Sequence, residues 1–264
     1  MSKYLSYFRT SFHNSLAYKA DFIIYIIANM VFFFIYFALW KNIYSSSGNS
    51  EISNYSLTQT ITYYFATSFI FRLDQMESMY LNESVWNGNF SNDLVKPWSA
   101  ILIDIIYTLS ELSLNILLYL PFCFFIFIVA FNYLDLPTIS NLVSFCVTVF
   151  LGIFLGISFY QIIHTLCFHF GDQEANLGLI AYIVAFLAGG FFPLAFLPNG
   201  LKTIFELLPF KYLFDVPANI FLGKLSTYEI IFAWAMMIMW TFIFILIFNL
   251  VYRSGLKKFT GTGR

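Results

Sequence analysis

Long apolar runs alternate with short polar connections along the whole chain. Six runs, 20–40, 55–73, 106–131, 139–163, 177–197 and 229–252, are long enough to cross a bilayer as helices. The second is the most polar of them. It carries Thr58, Gln59, Thr60, Thr62, Thr67 and Ser68, so it is expected to turn a polar side toward other helices rather than toward lipid. Ahead of the first run, Tyr4, Leu5, Phe8, Phe12 and Leu16 recur near helical spacing while Lys3, Arg9, His13 and Lys19 fall mostly elsewhere. That pattern predicts a helix over 1–19 lying in the membrane interface. A cleaved signal peptide does not fit, because the apolar run begins late, is long, and has no small-residue cleavage pattern after it.

One apolar stretch breaks the rule. Between the fifth and sixth runs, 191–228 is interrupted by Pro193, Pro198, Pro209 and Pro217. Within Phe191 to Gly223 the longest proline-free piece, Asn199 to Leu208, would rise only about 15 Å as a helix, against roughly 30 Å of hydrocarbon. Broken backbone at membrane depth is tolerated only where protein or a cavity covers it. The segment therefore reads as a re-entrant or interfacial hairpin. The fold class expected is an all-α integral membrane protein, 1–264 forming one transmembrane domain of six helices.

Composition agrees, with 60% hydrophobic and 10% charged residues and a mean hydropathy of +0.77. A net charge of −1 offers no basic surface for nucleic acid. Cys123, Cys146 and Cys167 lie in or beside apolar runs without pairing or CxxC spacing, so neither a disulfide framework nor a zinc site is indicated. Lysine and arginine set the orientation. With the N-terminus cytoplasmic, nine (Lys3, Arg9, Lys19, Arg72, Lys96, Arg253, Lys257, Lys258 and Arg264) fall inside and four (Lys41, Lys202, Lys211 and Lys224) outside. Both termini are then cytoplasmic, 74–99 is an inside connection, and the proline-broken hairpin lies outside.

Three groups of residues could carry mechanism. Gln75 to Trp86 can form a short amphipathic helix, with Met76, Met79, Tyr80 and Val85 set apart from Glu77 and Glu83 and Gly88 to end it. This is either a docking knob for a soluble partner or a solvated interfacial helix. In the third span Asp104, Thr108, Glu111 and Asn115 fall at i, i+4, i+7 and i+11, one polar stripe. Carboxylates facing lipid are costly, so the stripe is either a pathway or subunit-interface wall, or a helix end hydrogen-bonded in the headgroup region. Gly152 and Gly156 in the fourth span and Gly178 in the fifth mark small-residue faces for close helix packing. His164 and His169 stand about 140° apart on a helix and cannot readily share a metal. Asp104, Glu111 and His164 are the candidates for an intramembrane acyl or prenyl transferase, but no recognisable catalytic set is complete. A membrane scaffold is a third class. The chain also lacks G-x-x-x-x-G-K-[ST], so it has no phosphate-binding loop for ATP.

The run Gly88-Asn-Phe90-Ser-Asn-Asp-Leu94-Val-Lys96-Pro97, the hairpin Gly189-Gly190-Phe-Phe-Pro193 through Leu222-Gly223, and the tail Gly255-Leu-Lys257-Lys258 to Gly263 together resemble the membrane subunits of ABC-2 type ABC transporters. Their order and spacing cover nearly the whole chain. Arg264 departs from the glycine pair commoner at the end of such tails. The resemblance implies a multi-pass permease of a bacterial cell membrane. It would work as a dimer with a copy or paralogue and two cytoplasmic ATPases, which hold the ATP and Mg, and would export a hydrophobic, amphipathic, peptide or drug-like substrate. It also implies that the Gln75–Trp86 helix, through Glu77, Met79, Tyr80 and Glu83, is the coupling helix that docks on the ATPase. The prolines of the outside hairpin would then shape an extracellular gate.

Overall fold

The computed structural model describes residues 6, 8–10, 19–74, 80–95, 99–171 and 174–259. The chain is an all-α membrane protein. Its helices are α1 (Lys19–Ser47), α2 (Leu57–Asp74), α3 (Tyr80–Trp86), α4 (Phe90–Leu94), α5 (Ala100–Val129), α6 (Ile139–Thr165), α7 (Cys167–Phe170), α8 (Glu174–Leu187), α9 (Asn199–Leu207), α10 (Asp215–Phe221) and α11 (Thr227–Lys258). Four helical stretches, Ile26–Ser47, Ala100–Val129, Ile139–Phe170 and Thr227–Lys258, are long and apolar enough to cross a membrane. Each of the six expected spans has a helix, but α2 and α8 do not meet that criterion.

In α2 the reason is polarity. Thr60, Thr62 and Thr67 are fully buried, and their hydroxyls bond back to carbonyls of their own helix. In α8 the reason is length. The expected fifth span ran to Leu197, whereas the helix stops at Leu187 and its 14 residues rise only about 21 Å. Gly189 ends it with φ at +81°, and the amide of Gly190 closes back on the Ala185 carbonyl at 2.7 Å. This is the backbone pattern of a helix stop that favours glycine.

The long helices start where the sequence supplies caps. Thr138 accepts from the Asn141 amide ahead of α6, and Ser226 with Glu229 closes a capping box ahead of α11. The most extensive packing lays α11 along α6, with Met237 opposite Gly152 at 3.7 Å from where a Cβ would stand. The close-approach expectation thus has a neighbour at Gly152. Gly156 is buried on the same helix. At Gly178, by contrast, a Cβ meets nothing within 4 Å among the described residues. An unexpected close approach occurs at Gly255 of α11, where a Cβ would come within 2.8 Å of Phe168.

Between α1 and α2 two short strands, β1 (Glu51–Ile52) and β2 (Tyr55–Ser56), pair antiparallel. Ser53 and Asn54 make the turn with φ of 48° and 65°, as a two-residue hairpin requires. The interfacial helix expected over 1–19 lies mostly outside the described residues. Phe8 is helical, and its carbonyl accepts from Ser110 of α5 at 3.2 Å.

Candidate functional site

Two carboxylates, one buried and one half-buried, anchor opposite ends of the bundle. The first is Asp104, one turn into α5 and wholly inaccessible. Its Oδ1 accepts from the backbone amide of Leu81 at 3.1 Å. Its Oδ2 accepts from Gln161 Nε2 and lies 3.1 Å from His164 Nδ1, both on α6. A carboxylate of the long helix α5 therefore ties the start of α3 to the end of α6. Charge-assisted bonds of this kind are short and strong, and they fix the tautomer of the histidine with its proton on Nδ1.

Around this clamp the α3–α4 hairpin is set into the bundle by an apolar plug. Leu81 and Phe90 are both completely buried, packed with Ala100 and Cys167 and flanked by Val85, Phe168, Tyr252, Leu256 and Phe259. Phe90 meets Phe168 and Phe259 edge-on, at centroid distances of 5.1 and 5.2 Å. Within the hairpin, Asp93 of α4 accepts from the hydroxyls of Tyr80 and Ser84 at 2.8 Å each. Gly88, with φ at +73°, makes the bend. Tyr80, Glu83, Ser84, Asn87, Asn89, Asn92 and Asp93 line an open polar cavity on its outer side.

The sequence-predicted residues distribute over this frame unevenly. Glu77 and Met79 lie outside the described residues. Tyr80 is half-buried and stacks on Tyr107 at 5.0 Å, while Glu83 is exposed. The α4 helix was not expected at all. Asp104 and Thr108 of the polar stripe are buried, whereas Glu111 and Asn115 are only partly covered. Asp104 and His164, both named as enzyme candidates, do meet. His164 Nε2 is buried without a hydrogen-bond partner among the described residues. Gln161 and Asp93 were missed. Nothing marks Gln161 in sequence, since it is one polar residue at the end of an apolar helix.

The second carboxylate, Asp215, was missed too. It opens α10 inside the proline-broken segment and is half-buried. Its Oδ1 accepts from the Leu194 amide at 3.1 Å and stands 2.9 Å from the Tyr63 hydroxyl of α2; its Oδ2 accepts from Asn219 at 3.0 Å. Asn219 in turn accepts from Tyr55 of β2. The amide of Asp215 donates to the Ala188 carbonyl at 3.0 Å. Lys224, just beyond α10, donates to the Asn54 carbonyl at 2.6 Å and sits 3.9 Å above the Tyr55 ring. Loss of hydration lowers the Lys224 ammonium below the usual lysine range, against the pull of Glu51 and Asp135.

The four prolines punctuate this hairpin. Pro193 and Pro198 precede the 3₁₀ turn Leu194–Phe196 and helix α9, Pro209 starts the turn Pro209–Tyr212, and Pro217 lies in the first turn of α10, where a missing amide costs little. The region is therefore a folded cap of short turns, tied together by backbone bonds such as those from the Phe196 amide to Pro193 and from the Leu213 amide to Phe210. The signal that could have found Asp215 was there: it is the only acidic residue between Glu206 and Glu229 in a greasy segment.

With this geometry in place, comparison with known families gives one match: the family described as ABC-2 family transporter protein covers residues 18–263. No curated protein matches the chain closely enough to count as a relative.

Proposed function

We propose, since the chain belongs to the ABC-2 transporter family, that it is the membrane-spanning permease subunit of an ATP-driven exporter in which the α3–α4 hairpin receives the stroke of a cytoplasmic ABC ATPase. Membership makes it a multi-pass transport protein of the membrane. The finer reading is a six-helix subunit with both termini and the Asp104 end cytoplasmic, paired with a second permease and two ATPases. Its cargo is hydrophobic, amphipathic, peptide or drug-like.

One observation carries this reading: the hairpin is not a free loop but is bolted to two long helices. A push on α3 reaches α5 through the Leu81 amide and Asp104, and reaches α6 through Gln161 and His164. The Phe90 plug adds α7 and the end of α11 to the load. Buried, directional polar contacts pass on a displacement, whereas a solvated loop would absorb it. The outward face of the hairpin keeps Glu83 and the polar cavity available for a partner. At the far end, the Asp215 cap then sits as the extracellular gate.

Affinity purification of the chain from its native membrane, followed by mass spectrometry, should recover an ABC ATPase. Glu83→Arg should remove that ATPase while the chain keeps its thermal stability, because Glu83 is exposed. An ATPase retained in full by the variant would remove the docking assignment. Its absence from the wild-type preparation would sink the proposed function.

A further inference from the structure

The hydroxyl of Tyr63 lies 2.7 Å from the Gly189 carbonyl and 2.9 Å from Asp215 Oδ1. Both are full-length O–H···O contacts rather than one bond and one long arm. A phenol has a single proton. If Tyr63 gives it to Gly189, its oxygen faces a carboxylate oxygen with no hydrogen between them; if it gives it to Asp215, the carbonyl is stranded. A carbonyl carries no proton of its own, so the one group that can supply the missing hydrogen is Asp215.

We propose that Asp215 is a proton-binding site that locks the 189–223 hairpin: in the closed cap its carboxyl is protonated on Oδ1 and donates to Tyr63, which donates to Gly189. The count then closes. Oδ1 still accepts from the Leu194 amide, Oδ2 still accepts from Asn219, and the second Asn219 hydrogen serves the Asp215 carbonyl at 2.9 Å. The titratable and charged groups acting on the site are Tyr63 of α2, Tyr55 of β2 across Asn219, and Lys211 of the preceding turn. Helix α6, packed on α10, adds none to that set. Burial raises the carboxyl above the usual aspartate range against the opposite pull of the Leu194 amide, Asn219 and Lys211.

The direction of the effect follows. Because the closed cap holds the carboxyl at a raised pKa, its stabilisation is complete below the ordinary aspartate value and is lost as pH rises through the raised one. One proton taken up on closing makes the open fraction grow by up to about tenfold per pH unit across that window. Gly189 is where the cap pivots: with φ at +81° and Tyr63, Leu194 and Asp215 all within 3.2 Å of a Cβ position, it admits no larger residue without moving the three groups of the lock.

The test needs only the full chain in lipid nanodiscs, so its outcome is independent of whether an ATPase partner exists. Hydrogen–deuterium exchange of peptides from 189–223, corrected for the intrinsic pH dependence of exchange, should show protection falling as pH rises, while α6 and α11 stay unchanged. Asp215→Asn and Tyr63→Phe should both flatten the profile. Infrared titration should show a protonated-carboxyl band in the wild type that Asp215→Asn removes, and the wild-type spectrum alone suffices if that variant fails to fold. A hairpin whose corrected protection is flat with pH in the wild type, or wild-type spectra with no carboxyl band lost over the same range, would overturn the proposal.

Discussion

The two ends of the bundle each hold a carboxylate withdrawn at least partly from water, and satisfy it in opposite ways. Asp104 is fully buried, and its two oxygens meet a backbone amide, a side-chain amide and an imidazole nitrogen, each able to donate. Asp215 meets an amide and an asparagine, but also a hydroxyl whose only proton is claimed elsewhere. The first site is satisfied as an anion and stiff. The second is one hydrogen short as an anion and complete as an acid. Under the proposed function this asymmetry has a use: a firm joint where force would enter, and a cap at the other end that could change state.

Breaking the firm joint should have the largest effect. Asp104→Ala strands the Leu81 amide, the Gln161 amide and His164 together, and should cost about 3–5 kcal/mol, read as a fall in the melting midpoint. Asp104→Asn, which keeps an acceptor for Leu81, should recover part of it. An equal loss in both variants would mean the contact to α3 contributes nothing. At the cap, Gly189→Ala adds a side chain at positive φ and within 2.9 Å of the Tyr63 hydroxyl. The expected cost is about 1–3 kcal/mol, confined to faster exchange over 189–223 with the Asp104 end untouched. If exchange rose at both ends, the two carboxylates would form one cooperative unit and the contrast between them would fail. Smallest is Gly178→Ala, expected within about 0.5 kcal/mol because nothing in the chain meets a Cβ there. A larger loss in the assembled membrane complex would place a second subunit against α8.

Much of the frame was legible because apolar periodicity and length speak directly to helices in lipid. Of the runs that became the long helices, that of α6 was placed close to both ends, whereas α1 continues to Ser47 and α11 to Lys258, beyond the expected ends, and α5 starts earlier, at Ala100. The end of α8 was misplaced because the apolar run continues through Leu197, and hydropathy does not register a glycine-led turn inside it. The stripe from Asp104 to Asn115 was visible as helical spacing, and its inner half is the buried part. Its partners were not: Leu81 is 23 residues away and Gln161 is 57, and one is a backbone amide that no side-chain pattern can announce. The stretch ending at Trp86 was expected as an amphipathic helix, of which Tyr80–Trp86 is described, yet what holds the hairpin down, Phe90 between Phe168 and Phe259, joins three distant parts of the chain. Asp215 was hidden among the prolines that drew the eye to its segment.

The amino-acid sequence by itself determined that this is a helical membrane protein, where its long helices run, which segment cannot span, and the family to which it belongs, because each of these depends on local composition and order. Which polar groups share a proton, which carboxylate is a bolt and which a latch, and which glycine must stay a glycine were decided only by tertiary structure. Those properties depend on distances of about 3 Å between atoms up to 152 residues apart, and in a medium without water the position of a single donor determines whether a buried charge is satisfied.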